Sequence, residues 1–105
     1  MKAYQFPKIA KLEDMTPEQL GAKLYEEADE CVAAMKMYDG GRNRLDLVME
    51  TLDVIHVCET ILHHFDVDYA ELEDGINFVT LKNKLRGYYE EDNRDRNERN
   101  TTQRY

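Results

Sequence analysis

The sequence predicts an all-α protein: an antiparallel helical hairpin followed by a third long helix, a four-helix-bundle-type module completed by oligomerisation. Three observations predict it. Apolar residues recur at three- and four-residue spacing over three long segments. Legible helix starts and stops separate those segments. No β alternation of convincing length occurs anywhere in the chain.

The first helix is expected over about 17–38. Thr16-Pro17-Glu18-Gln19 reads as a capping box, with Thr16 at the N-cap and proline in the first turn. Leu20, Leu24, Cys31, Ala34 and Tyr38 form its stripe, and Gly40-Gly41 stops it with a left-handed residue. Asn43 caps a second helix over about 44–65, whose stripe is Leu45, Val48, Leu52, Ile55 and Leu62. His63 and His64 fall in its last turn, where positive charge is favourable. Phe65-Asp66-Val67 is a connector. Asp68, with Glu71 three residues on, opens a third helix over about 69–90 with Leu72, Ile76, Val79, Leu81, Leu85 and Tyr88 as apolar positions. Residues 1–15 read either as a short helix or as a strap carrying Phe6, Ile9 and Leu12 over the core. One domain is therefore expected over 1–91. Residues 92–105 contain no aliphatic side chain and are expected to form a mobile polar tail.

Composition excludes several classes. Of 105 residues, 42% are hydrophobic and 34% charged, within the range of one helical domain with a modest core. No apolar run is long enough to cross a membrane, and the N-terminal residues lack a signal peptide's apolar region. Cys31 and Cys58 match no zinc spacing and no disulfide framework, so both are expected as small buried residues in a reducing, cytoplasmic setting. The formal charge is −8; residues 92–105 carry three acids and four arginines, a net +1, which leaves −9 on residues 1–91. A surface that acidic excludes a nucleic-acid polymer as partner, but admits a small phosphorylated substrate bridged by metal.

The informative residues are four acids in two pairs, Glu27 with Glu30 and Glu50 with Asp53. Residues three apart share a helix face. The first pair lies about twelve residues before the centre of the expected turn and the second about ten after it, so at roughly 1.5 Å rise per residue both sit at similar height on the hairpin. Glu27 falls on the arc of Leu20, Leu24, Cys31 and Ala34, and Asp53 is flanked by Leu52, Val54 and Ile55. A purely solvated acidic face would lie opposite the apolar stripe. Four carboxylates converging without compensation repel one another, and a hard, oxygen-loving divalent cation relieves that repulsion. Magnesium, manganese and calcium all meet that description.

KLYEEADE (Lys23 to Glu30) followed by ETLD (Glu50 to Asp53), with nineteen residues (31–49) between them, resembles the signature of the MazG-like all-α nucleotide pyrophosphohydrolases. That signature reads Glu-Glu-x-x-Glu, a spacer, then Glu-x-x-Asp. The segment LKNKLRGYY (Leu81 to Tyr89) is similar to the family's Lys/Asn/Arg-rich third helix, and the likeness spans about residues 17–90. The resemblance implies Mg2+-dependent hydrolysis of a nucleoside triphosphate to the monophosphate and pyrophosphate, with Mn2+ as a substitute cofactor, in a homodimer or dimer of dimers. A phosphoribosyl-ATP pyrophosphohydrolase-like activity is the alternative within the class. A non-catalytic helical adaptor or nucleotide-binding regulator is the alternative outside it. By the same resemblance Glu27, Glu30, Glu50 and Asp53 correspond to metal ligands, and Glu26 and Glu27 to the catalytic acids of the first motif. Lys23, Lys82, Asn83, Lys84 and Arg86 correspond to phosphate or nucleotide contacts. Lys82, Lys84 and Arg86 equally suit cations complementing a helix C-terminus. His56, three residues after Asp53, suits an interfacial position better than ligation of magnesium. Tyr25, Tyr38, Tyr88 and Tyr89 suit packing or stacking, and Met35, Met37 and Met49 suit core or interface filling.

Overall fold

The computed structural model describes residues 4–89. Among them are a short 3-10 turn, Leu12–Asp14, and three α-helices: α1 (Pro17–Lys36), α2 (Arg44–His64) and α3 (Tyr69–Leu85), with no strand. The described residues divide into two compact units, 4–67 and 68–89. The expected tail, 92–105, lies outside the described residues.

Both capping boxes form. The Thr16 hydroxyl accepts from Gln19 N while Gln19 Oε1 accepts from Thr16 N, and Asp68 and Glu71 repeat the exchange at α3. Asn43 occupies the N-cap position of α2 but does not cap it. Its amide bridges the turn instead, Nδ2 donating to Met37 O (2.8 Å) and Oδ1 accepting from Asp39 N (3.1 Å). That capture of the Met37 carbonyl ends α1 at Lys36 rather than at Tyr38. Gly40 takes the left-handed conformation (φ 89°) inside the turn, not at the helix end. The Asp39 carboxylate accepts from Gly41 N, Arg42 N and Arg42 Nε, and the Arg42 guanidinium, helped by those amides, holds its carboxyl below the usual range.

α2 and α3 end in the same way. Asp66 N donates to His63 O and Val67 N to Leu62 O, a Schellman motif with Asp66 at φ 55° where glycine is usual. Gly87 N to Lys84 O and Tyr88 N to Asn83 O repeat it, with Gly87 at φ 74°. This stop, placed by a glycine, ends α3 at Leu85 and not at residue 90.

α1 and α2 pack as the expected hairpin. On α1 the residues at least half-buried at alternating spacings of four and three are Leu20, Leu24, Glu27, Cys31 and Ala34, and Tyr38 continues the series just beyond the helix. On α2 they are Leu47, Glu50, Val54, Val57, Ile61 and His64. This is the seam of a coiled-coil-like pair, and a glutamate occupies one position on each side of it. The stripe expected on α2 is a different one. Leu45, Val48, Leu52 and Ile55 are exposed, because the face adjoining the seam has nothing over it within this unit, while Leu62, the last member of that stripe, is half-buried. Met35, Met37, Met49 and Tyr25 are exposed as well, so none is a core residue here. Cys58 is exposed and Cys31 half-buried, its Sγ 3.6 Å from Thr51 Oγ1. Among the described residues the buried apolar set is small: Leu12, Leu20 and Val57. No residue of α3 is buried.

Residues before α1 form a strap, not a helix. Leu12 is its one buried residue among those described, and His64 Nδ1 lies 3.0 Å from Leu12 O. No helix among the described residues is long and apolar enough to cross a membrane.

Candidate metal centre

The hairpin brings the two acidic motifs to one place. Glu27, Glu50 and Asp53 each offer a carboxylate oxygen within 4.8 Å of the others. The seam explains why. Its register sets Cys31 of α1 against Thr51 of α2, so one turn back on α1 Glu27 meets the turn of α2 that holds Glu50 and Asp53. Glu27 is buried, Glu50 half-buried and Asp53 exposed, which grades the cluster from the seam outwards.

Glu30 falls outside that set and its side chain is exposed. It stands at the edge of the cluster: the charge of Glu27 first, then partial loss of water and the charge of Glu50, push its carboxyl above the ordinary range. Lys23 is the nearest cation. Its Nζ lies 3.1 Å from Glu26 Oε1 and 3.1 Å from Glu27 Oε1, and those two bonds raise its pKa, the one to Glu27 more strongly.

Lys23 satisfies only one oxygen of Glu27. Glu27 Oε2 and Glu50 Oε2 are both out of reach of water and have no hydrogen-bond partner. A buried carboxylate oxygen without a donor costs roughly 1–3 kcal/mol or more, and two of them belong to residues of one cluster. A cation with oxygen preference is the partner that donor set fits, since every ligand atom is a hard carboxylate oxygen and none is nitrogen or sulfur.

Beside the cluster lies a cavity of about 390 Å³. Glu27 and Asp53 open onto it together with Lys23, Gln19, His56 and Thr60, while Ile9, Met15, Leu20 and Val57 make its apolar side. His56 Nε2 is buried and unpartnered, and the ring stacks on Phe6 at 4.6 Å between centroids. The Thr60 hydroxyl donates to His56 O, 2.8 Å away. The sequence points to Lys23 and His56 near the site and to Ile9 as a strap residue, but not to Gln19 or Thr60 as cavity residues. Of those two, Gln19 carries a signal, as the capping residue of α1, and that signal concerns the helix end.

Lys82, Asn83, Lys84 and Arg86 belong to the second unit. Lys82 and Lys84 lie in the last turn of α3, Asn83 O accepts from Arg86 N and Tyr88 N, and the Arg86 guanidinium stands 5.7 Å from the Tyr88 ring centre. Compared with protein-family models, with curated proteins and with solved structures, the chain matches none.

Proposed function

We propose that this chain is a divalent-cation-dependent nucleotide pyrophosphohydrolase, hydrolysing a nucleoside triphosphate to the monophosphate and pyrophosphate. A phosphoribosyl-ATP-like substrate is the variant of the same reading. The observation that carries it is the pair of buried, unpartnered carboxylate oxygens of Glu27 and Glu50, grouped with Asp53 at the mouth of a cavity. The order and spacing of the acidic motifs, similar to the MazG-like pattern, point the same way.

Glu27, Glu50 and Asp53 would hold the ion, with Glu30 joining as ligand or as the acid behind it. A bound Mg2+ supplies charge neutralisation on phosphate oxygens and a bound water of lowered pKa. The rest falls to the chain. Lys23, shared between Glu26 and Glu27, would turn to a phosphate oxygen and stabilise charge gathering on the leaving pyrophosphate. Glu26, exposed beside it, takes the proton of the attacking water as the P–O bond to pyrophosphate breaks. The apolar side of the cavity suits the part of the substrate that carries no charge. The exposed apolar stripe of α2 and the unburied apolar residues of α3 support assembly into a homodimer or dimer of dimers.

Release of pyrophosphate from a nucleotide panel, with Mg2+ and with EDTA, tests the reading. Losing a residue that merely orients a metal ligand costs about 10–100-fold, so Glu27→Gln, Glu50→Gln and Asp53→Asn should each cost at least roughly that, with helicity unchanged. No turnover of any nucleotide, together with no Mg2+-dependent rise in Tm, overturns it in favour of a non-catalytic adaptor.

A further inference from the structure

The segment before α1 is fastened to α2 in an unusual way. Glu59 is buried, and among the described residues its carboxylate has no ion pair; it accepts two consecutive backbone amides of the strap, Gln5 N to Oε2 (2.8 Å) and Phe6 N to Oε1 (2.9 Å). On either side of that clasp, three residues before and four after it on α2, stand His56 and His63. Phe6 stacks on His56 at 4.6 Å and Tyr4 on His63 at 4.0 Å. The Tyr4 hydroxyl reaches Val67 O at 3.4 Å. Further along, Ile9 of the strap forms part of the cavity wall. Then comes Leu12, buried, at the start of the Leu12–Asp14 turn that leads into α1.

We propose that residues 4–11 are a lid over the cavity, hinged at the Leu12–Asp14 turn and latched by Glu59. Three features make it poised rather than fixed. Its grip includes the Glu59 carboxylate, two ring stacks and the Tyr4 hydroxyl, and among the described residues its one buried apolar anchor lies at the hinge end. Closure also has a standing cost, since His56 Nε2 and His63 Nε2 lose water beneath it and gain no partner; opening returns that hydration. Finally, the lid touches the cavity directly, through Ile9 and through Phe6 on the wall residue His56. Opening therefore uncovers the cavity without disturbing the α1–α2 seam. The lid and its latch follow from the geometry alone, whereas its role in admitting a nucleotide rests on the proposed activity.

Amide hydrogen exchange on the intact chain tests this with no turnover required. In the native protein Gln5 and Phe6 should exchange slowly, and Glu59→Gln, which keeps one acceptor oxygen but loses the second, should speed both by about tenfold or more. Seam amides around Val54 and Val57 should be unchanged. Phe6→Ala, which leaves Glu59 in place, should give a smaller acceleration and faster carbethoxylation of His56. Unchanged exchange at Gln5 and Phe6 in Glu59→Gln overturns the latch. Acceleration spread evenly over the lid and the α1–α2 seam overturns the lid, because Glu59 would then be holding the hairpin together. Addition of Mg2+ with a non-hydrolysable nucleoside triphosphate should slow exchange at Gln5 and Phe6 if the proposed activity holds. Failure of that arm alone, with the latch behaviour intact, refutes the nucleotide reading and leaves the lid standing.

Discussion

Replacing Glu27 by methionine separates what this residue does for the fold from what it does for an ion. Glu27 occupies a seam position between Leu24 and Cys31, where the neighbouring positions are apolar. Its Oε2 is buried without a donor, a cost of roughly 1–3 kcal/mol in the metal-free protein. Against this stands the bond of Oε1 to Lys23, whose side chain is 50% exposed; a pair so open to water contributes less than about 1 kcal/mol. Methionine is unbranched and of similar bulk, and the adjoining 390 Å³ cavity gives it room to settle. The balance favours the variant by about 1–2 kcal/mol without metal, which for a domain of this size is roughly 5–10 °C in Tm.

Metal should reverse the order. An ion held a hundredfold above its Kd stabilises the native state by about 2.7 kcal/mol, and the variant lacks the buried member of the ligand set. Thermal melts at one fixed protein concentration, with EDTA and across a Mg2+ titration, should therefore cross. Glu27→Met melts higher in EDTA, and the native chain melts higher at saturating Mg2+. A variant less stable in EDTA would refute the claim that the seam carboxylate is uncompensated. Equal Mg2+ shifts in both proteins would refute the claim that it is a ligand.

Two further perturbations follow from the same structure. The Glu30 carboxyl is raised above its ordinary 4.5, chiefly by Glu27; the folded chain then holds that proton more tightly than the unfolded one, so the group's penalty is absent below about pH 4 and complete once pH exceeds the raised value. Without metal, Glu30→Gln should accordingly raise Tm at pH 7 and leave it unchanged near about pH 4, and a gain of equal size at both pH values would show that charge is not the cause. At the end of α2, Asp66 sits at φ 55° in a Schellman motif: Asp66→Val should cost about 1–2 kcal/mol in chemical denaturation while Asp66→Gly costs close to nothing, and equal losses would place the effect in the carboxylate rather than the backbone.

What was legible in the sequence divides along physical lines. Interactions closed within a turn or two could be read directly: Thr16 with Gln19 and Asp68 with Glu71 form the boxes their spacing announced. The turn and stop at Asn43 and Gly87 were harder. An asparagine can cap a helix or bridge a turn with the same amide, and only the proximity of Met37 O decides between them. The inner face of α2 was misread for a related reason. Two apolar stripes run side by side on that helix, one through Leu45, Val48, Leu52 and Ile55, the other through Leu47, Val54, Val57 and Ile61. Hydrophobicity alone favours neither. The second turns inward, and it is the one interrupted by Glu50, as the α1 seam is interrupted by Glu27. An apolar stripe broken by a carboxylate at matching height on two neighbouring helices is a poor packing solution but a good ligand set. The acids that look like flaws in the pattern therefore identify the seam better than the apolar residues do. Glu59 gave no such signal, because its partners are main-chain amides 53 and 54 residues away and leave no side-chain pattern. Its burial beside two histidines, with the strap laid across all three, emerges only when the chain is folded. For that reason the lid is the feature on which the structure adds most to the sequence.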